Sequence, residues 1–263
     1  KKEVKGAVII SGGFSEAGNQ IGQNRLVEIA KEADFPFIGP NCLGIYAPGC
    51  VDTFLLPGER IIRPEKGNVG FISQSGGVLV DQMVKFAGQG IGLSLAVSIG
   101  NKALIRETDM LEWFEKDDET KVIAFYIEGF EKGEGRYFIK KAAQCSKPVV
   151  ILKAGKSRKG VQAVSSHTAS LAGEYRVFSE IMKQHGVAEA KNEHEMISFC
   201  EALSCYPQGG SCCKVGIVSL SGGHGVMAAD ACELHGIQVP QVAPETIDDH
   251  PIVTLCCGWD KNL

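Results

Sequence analysis

Apolar residues along this chain follow two alternating patterns. Short runs rich in β-branched residues predict strands at residues 6–10, 35–38, 69–73, 93–99, 122–128 and 149–153. Between them, apolar positions recur at helical spacing and predict helices at 19–33, 77–86, 109–116 and 136–144, the first with Leu26, Ile29 and Ala30 on one face. Two more helices are predicted at 174–185 and 193–205, after a small, polar loop at 165–172. Strands that are apolar throughout are buried on both faces. Alternating with helices, they predict a parallel sheet covered on both sides. A new series starts at Lys214, with a strand at 215–220, a helix at 226–234 and a short strand at 238–242. The stretch 47–65, with Pro48, Pro57 and Pro64, reads as a connection between domains, and 207–210 as the next one. The last series stops early and the first begins part-way, so both ends look cut.

The pattern contains a gapless internal repeat. Residues 68–77, Asn-Val-Gly-Phe-Ile-Ser-Gln-Ser-Gly-Gly, match residues 214–223, Lys-Val-Gly-Ile-Val-Ser-Leu-Ser-Gly-Gly. Gly90-Ile91 after the first predicted helix matches Gly236-Ile237 after the second. Each copy reads as a strand, a Ser-x-Ser-Gly-Gly turn and a helix. The first amides of a helix have no intrahelical acceptor, and the helix dipole adds positive charge there. Glycine lets an anion approach the backbone closely, and serine adds a donor. Each copy therefore predicts a phosphate or carboxylate cradle: Ser75, Gly76 and Gly77 in the first, Ser221, Gly222 and Gly223 in the second. One copy alone reads equally well as a tight turn, and the matched pair favours binding. Gly155-Lys156-Ser157 ends like a P-loop, but Val150 stands where the earlier glycine belongs, which excludes a Walker-type ATPase.

Composition narrows the function classes. Of 263 residues, 44% are apolar and 22% charged, which supports an ordinary buried core. A net charge of -4 argues against a nucleic-acid partner. No apolar run is long enough to cross a bilayer, and the start shows no signal-peptide pattern. Ten cysteines include the adjacent pairs Cys212-Cys213 and Cys256-Cys257 and no paired C-x-x-C spacing, so they read as reduced, mostly buried thiols of a cytoplasmic protein with no metal site.

His167 lies among small and hydroxyl residues just before a predicted helix. An imidazole attacks phosphorus when one ring nitrogen is free and the other is held, and Glu128, at a strand end, would hold it. A histidine in this position is also compatible with a satisfied structural role. Five ordered segments decide between these readings: Ile38-Gly-Pro-Asn-Cys-Leu-Gly44, residues 66–77, Val97-Ser-Ile-Gly-Asn-Lys102, Tyr126-Ile-Glu-Gly129 and residues 165–173. Together they resemble the NDP-forming acyl-CoA synthetases, relatives of the succinyl-CoA synthetase α subunit. The resemblance implies flavodoxin-like, doubly wound parallel sheets. It divides the chain into the second half of a CoA-binding domain (1–60), a CoA-ligase domain with the histidine loop (61–207) and the start of a second such domain (208–263).

It also implies roles. His167 would carry phosphate, Glu128 would orient it, and the two Ser-Gly-Gly turns would face the phosphoryl group from two helices. Asn41 and Cys42 would sit near the thiol end of CoA. The implied reaction converts acyl-CoA, ADP and phosphate to acid, CoA and ATP, with Mg2+ accompanying the nucleotide. ATP-grasp domains that bind nucleotide would come from a partner subunit or from further sequence, making a hetero-oligomer. Ala169 stands where a glycine is common, and Leu104-Ile105-Arg106 replaces a more acidic stretch. The competing readings are a non-catalytic acyl-CoA-sensing module, which needs no His167 with Glu128, and a doubly wound domain with some other small ligand.

Overall fold

The computed structural model describes residues 3–54, 56, 61–167, 175–206 and 214–241, with the side chains of 164–167 also outside the described set. The chain divides into two compact units, the first ending at Gln208. The first unit opens with β1 (Ala7–Val8), α1 (Gln20–Glu32) and β2 (Phe37–Ile38), and β1 and β2 pair in parallel. Asn19 caps α1 by accepting a hydrogen bond from the Gly22 amide. Ala30 and Phe37 are buried with Ala103, which fastens this small layer to the rest of the unit.

The main sheet follows. Its elements are β3 (Ile45–Ala47), β4 (Val51–Asp52), β5 (Lys66–Ser73), α2 (Gly76–Gly88), β6 (Leu93–Ser98), α3 (Glu107–Lys116), β7 (Val122–Ile127), α4 (Glu134–Gln144), β8 (Val149–Lys153), α5 (Arg158–His167), α6 (Tyr175–Gln184), β9 (Ala188–Ala190) and α7 (Glu193–Cys205). The strand order is β4-β3-β6-β5-β7-β8-β9, antiparallel at β4-β3-β6 and parallel from β6 to β9. The five parallel strands, counted along the chain, lie in the order 2-1-3-4-5 of a flavodoxin-like sheet.

Period-two alternation divides each strand between two cores. Val69, Phe71, Val122, Ala124, Val150 and Leu152 face Leu79, Met83 and Phe86 of α2 and Met196, Ile197 and Cys200 of α7. Their neighbours Ile72, Ile123, Phe125, Val149 and Ile151 face Met110, Leu111 and Phe114 of α3, Phe138 and Ile139 of α4, and Met182 of α6. Both faces are dry, which is why these strands carry no polar alternation until they reach their ends.

The structure adds elements that the pattern did not predict. β3 and β4 fall at the edge of and within the stretch read as a connection, and β9 was also unforeseen. All three are too short to show a period. α5 extends through residues 165–167, which were expected to be loop. It starts beside Ser157, whose hydroxyl accepts from the Gly160 amide at 3.1 Å. Small and hydroxyl residues there mask a helical run; the rest of the expected loop, 168–172, lies outside the described residues.

In the second unit, α8 spans Gly222–Leu234. Among the described residues the expected strand at 215–220 shows only single bridges, one at Val218 and one just before the segment at Lys214, which pairs in parallel with Gln238. In β5 the equivalent segment is flanked by strands on both sides, whereas here Val218 and Leu220 are exposed. Gln238 is bridged but stands in no described strand.

One aromatic ring tests how tightly the sheet is packed. Phe114 is fully buried, and a Cβ built on Gly70 of β5 would lie 2.4 Å from its ring. Phe114→Ala should cost about 3–5 kcal/mol, read as a lower urea midpoint with an unchanged slope. A loss below about 1 kcal/mol would show that α3 does not press on β5 as described.

Candidate active site

In an open parallel sheet, ligands bind beyond the carboxyl ends of the strands where neighbouring connections run to opposite faces. Here that point lies between β5, followed by α2 on one face, and β7, followed by α4 on the other. A cavity of about 460 Å³ lies there. Six of the predicted residues line it together: Ser75, Gly76, Gly77, Glu128, Asn41 and Cys42.

Ser75 stands two residues after β5 and caps α2. Its backbone is extended, and its hydroxyl accepts from the Val78 amide at 3.4 Å. Ser73 braces the turn, donating its hydroxyl to the Ser75 carbonyl at 2.6 Å and accepting the Ser75 amide at 3.1 Å. The amides of Gly76 and Gly77, in the first turn, remain for an anion. A Cβ on Gly76 would meet Leu43 at 3.0 Å, whereas one on Gly77 would meet only Ser75 Oγ at 4.0 Å. Gly77 therefore faces open space.

The second copy reproduces this turn inside its own unit. Ser219 donates to the Ser221 carbonyl at 2.8 Å and accepts the Ser221 amide at 3.2 Å. Ser221 is again the extended residue before the helix, though its hydroxyl makes no capping bond. Gly90 and Gly236 both close their helices in the left-handed conformation, at φ 71° and 66°.

The loop with Asn41 is held against the β6–α3 turn. Asn101 N donates to the Pro40 carbonyl at 2.9 Å, Ala103 N to Gly39 at 3.1 Å, and Leu43 N to Ser98 Oγ at 3.0 Å. A Cβ on Gly100 would lie 2.3 Å from the Asn41 carbonyl oxygen, so glycine is required at this close approach. Asn41 and Lys102 are both left-handed, at φ 54° and 46°, an arrangement that persists only where the surroundings over-determine it. Cys42 donates its thiol to the Ile9 carbonyl at 3.3 Å, and burial pushes its pKa up to about 11. At neutral pH it contributes shape rather than a thiolate.

Glu128 follows the last residue of β7 and is 8% exposed. Tyr126, two residues earlier on the same face, lies beside its carboxylate. Burial first, then the Glu128 charge, push the Tyr126 hydroxyl up to about 12, so it stays a donor. Across the strand, Lys153 donates to the Glu128 carbonyl at 2.6 Å, and burial pulls its ammonium down to about 8.

Sequence reasoning missed the residues that mount Glu128. Gln74 accepts the Glu128 amide at 2.7 Å and the Gly129 amide at 3.1 Å, and donates to the Gly129 carbonyl at 2.8 Å and to Glu107. Lys102 donates to the same Gly129 carbonyl at 2.6 Å and pairs with Glu107. The available signal was Gln74 itself, a long polar side chain between two turn-forming serines just after a strand.

The α2 cradle and the residues that mount Glu128 sit within one recognised domain, and the Asn41-Cys42 loop precedes it. The profile of the succinyl-CoA ligase like flavodoxin domain matches residues 66–203. The chain belongs to the NDP-forming acyl-CoA synthetase family. It is 41% identical over 94% of its length to acetate–CoA ligase (ADP-forming) I of Archaeoglobus fulgidus, of which it spans 36%. It is 39% identical over 95% of its length to the α subunit of acetate–CoA ligase (ADP-forming) II of Pyrococcus furiosus, of which it spans 54%. Among solved structures, it superposes with a TM-score of 0.82, at 35% identity, on a Ca. Korarchaeum cryptofilum acetyl-coenzyme A synthetase determined with phosphate and ADP. That match covers 94% of this chain and 52% of the other.

Within this family member, the backbone of His167 ends α5; its side chain and residues 168–174 lie outside the described residues, as does Ala169. Ser221, Gly222 and Gly223 belong to the second unit. Lys156, of the near-P-loop, donates to the carbonyls of Ala190 and Lys191. The thiols are more evenly distributed than expected. Of the six described cysteines, all free, Cys42 and Cys200 are buried, Cys145 and Cys232 half-buried, and Cys50 and Cys205 exposed. No described helix is long and apolar enough to cross a membrane.

Gly77 offers a clean test of the cradle. Gly77→Ala should leave stability unchanged or raise it by up to about 1 kcal/mol, because alanine favours the helix. The added methyl would project into open space in the cavity and should weaken inorganic phosphate binding, measured by titration calorimetry. Unchanged phosphate affinity would remove Gly77 from the anion site.

Proposed function

We propose that this chain supplies the CoA-binding and phosphoryl-relay part of an ADP-forming acid–CoA ligase. The reversible reaction is acyl-CoA plus ADP plus phosphate to carboxylic acid, CoA and ATP. The observation that supports this reading best is the meeting, in one cavity, of the free α2 amides, the mounted carboxylate of Glu128, and the Asn41-Cys42 loop. An anion cradle beside a held carboxylate suits a phosphoryl group handed to an imidazole.

In the first step a phosphate oxygen attacks the thioester carbon, the C–S bond breaks, and CoA leaves as an acyl phosphate forms. An imidazole nitrogen of His167 then attacks phosphorus, and the P–O bond to the carboxylate breaks. Finally a terminal oxygen of ADP attacks the phosphohistidine, and the P–N bond breaks to give ATP. The amides of Gly76 and Gly77 stabilise charge on the transferring oxygens, each oriented donor of this kind being worth roughly 2.7–4 kcal/mol in the transition state. Glu128 accepts a hydrogen bond from the second ring nitrogen and sets the tautomer. Tyr126, beside the Glu128 carboxylate, helps to orient it.

Residues 1–60 serve as the CoA-binding portion in this reading, with Asn41 and Cys42 lining the thiol end. Residues 61–207 carry the relay, and 208–263 contribute a second phosphate cradle at Ser221, Gly222 and Gly223. The nucleotide binds on ATP-grasp domains, in a partner subunit or elsewhere in a longer protein. Among the described residues no group of three or more His, Cys, Asp or Glu side chains could hold a metal ion. In this reading Mg2+ accompanies the nucleotide. The enzyme is placed in the cytoplasm with small-molecule substrates.

The relay is tested in the ligase completed with its nucleotide-binding partner. His167→Ala should abolish turnover, and Glu128→Gln should slow it roughly 10²–10⁴-fold while leaving the fold intact. Incubation with labelled ATP should leave acid-labile, base-stable phosphate on the peptide containing His167. Label that persists in the His167→Ala variant, or wild-type turnover by it, would refute the assignment of His167; a completed ligase that binds acyl-CoA but shows neither turnover nor label would favour a sensing module.

A further inference from the structure

Around Glu128 the main chain is held almost wholly by side chains from other elements. The Glu128 amide goes to Gln74, its carbonyl to Lys153, the Gly129 amide to Gln74, and the Gly129 carbonyl to both Gln74 and Lys102. Gln74 and Lys102 share one further partner, Oε1 of Glu107. Glu107 opens α3 and is 1% exposed, and Lys102 is 3% exposed. Lys102 and Gln74 line the cavity, and Glu107 does not.

We infer that Glu107 is a positioning residue that acts on Glu128 through Gln74 and Lys102. The argument starts from cost. A buried ion pair rarely adds stability over well-packed apolar side chains, so its usefulness lies in fixing geometry. Here one carboxylate oxygen orients two donors, and both donors grip the peptide that follows Glu128. Gln74 is also the residue between Ser73 and Ser75, which brace the α2 cradle. The same clamp therefore fixes the spacing between Glu128 and the phosphate site. Lys102 also stands in the left-handed region, as expected of a residue held by its surroundings rather than by its own preference. Because Glu107 neutralises Lys102, that ammonium directs the peptide more than it attracts the substrate.

This inference rests on the reading of Glu128 as the partner of a phosphorylated histidine. Its test uses the completed ligase, acetyl phosphate as phosphoryl donor and rapid-quench measurement of phosphohistidine. Glu107→Gln leaves Lys102 uncompensated beside the cavity. Inorganic phosphate should bind as tightly as before or more tightly, while phosphohistidine formation slows by about 10²-fold, the scale of a 1 Å misplacement. If that variant does not fold, the neutral double variant Lys102→Met with Glu107→Gln carries the same test, since no buried charge is left unpaired. Combining either folded variant with Glu128→Gln should be no slower than Glu128→Gln alone, because both changes damage one function. Wild-type phosphorylation by a folded variant, or losses that multiply when Glu128→Gln is added, would overturn the proposal. A Glu128→Gln enzyme that phosphorylates at the wild-type rate would instead sink the functional reading.

Discussion

The structure depends on a sheet that is dry on both faces. With α2 and α7 on one side and α3, α4 and α6 on the other, no polar side chain can stand on the middle of a strand without an unpaid desolvation cost. Polar side chains stand at the strand ends, with the Ser94–Thr120 pair at the amino ends and the candidate site at the carboxyl ends. There the connections from β5 and β7 part to opposite faces, leaving a gap. Ser75, Gly76 and Gly77 lie on one side of it and Glu128 on the other.

Two requirements meet in that gap. A helix N-terminus must keep its first amides free to bind an anion, and a carboxylate must stay fixed beside it although it is mostly buried. Ser73 and Ser75 satisfy their own turn and one amide of α2, leaving Gly76 and Gly77 available. Gln74, between them, reaches sideways to hold Glu128 and Gly129. Alternate residues of one short turn thus serve the cradle and the carboxylate. The second unit repeats the serine bracing without such a glutamine, since Leu220 stands at that place and is exposed.

The long strands and helices were legible because burial on both faces writes continuous apolar runs, and helices against them write a regular spacing. Ser75, Gly76, Gly77, Glu128, Asn41 and Cys42 were legible as motifs, and the fold brings all six to one cavity. What escaped was local or long-range. β3, β4 and β9 span two or three residues, too few for a period. The helix through His167 is built from small and hydroxyl residues that also suit a loop. Glu107 reads in sequence as an ordinary acidic residue in a first helical turn, and its pairing with Lys102 and Gln74 exists only once β5, β6 and α3 are packed together. The segment expected as a strand at 215–220 matches β5 in its apolar pattern, and among the described residues it shows only single bridges.

The central claim is that the α2 amides and Glu128 bound one phosphoryl site. A crystal structure of the chain grown with saturating inorganic phosphate measures this most directly. The account predicts phosphate in the cavity, with oxygens within about 3 Å of the Gly76 and Gly77 amides and on the side of the cavity that Glu128 lines. Saturating phosphate with that cavity empty, or bound only elsewhere on the chain, would contradict it.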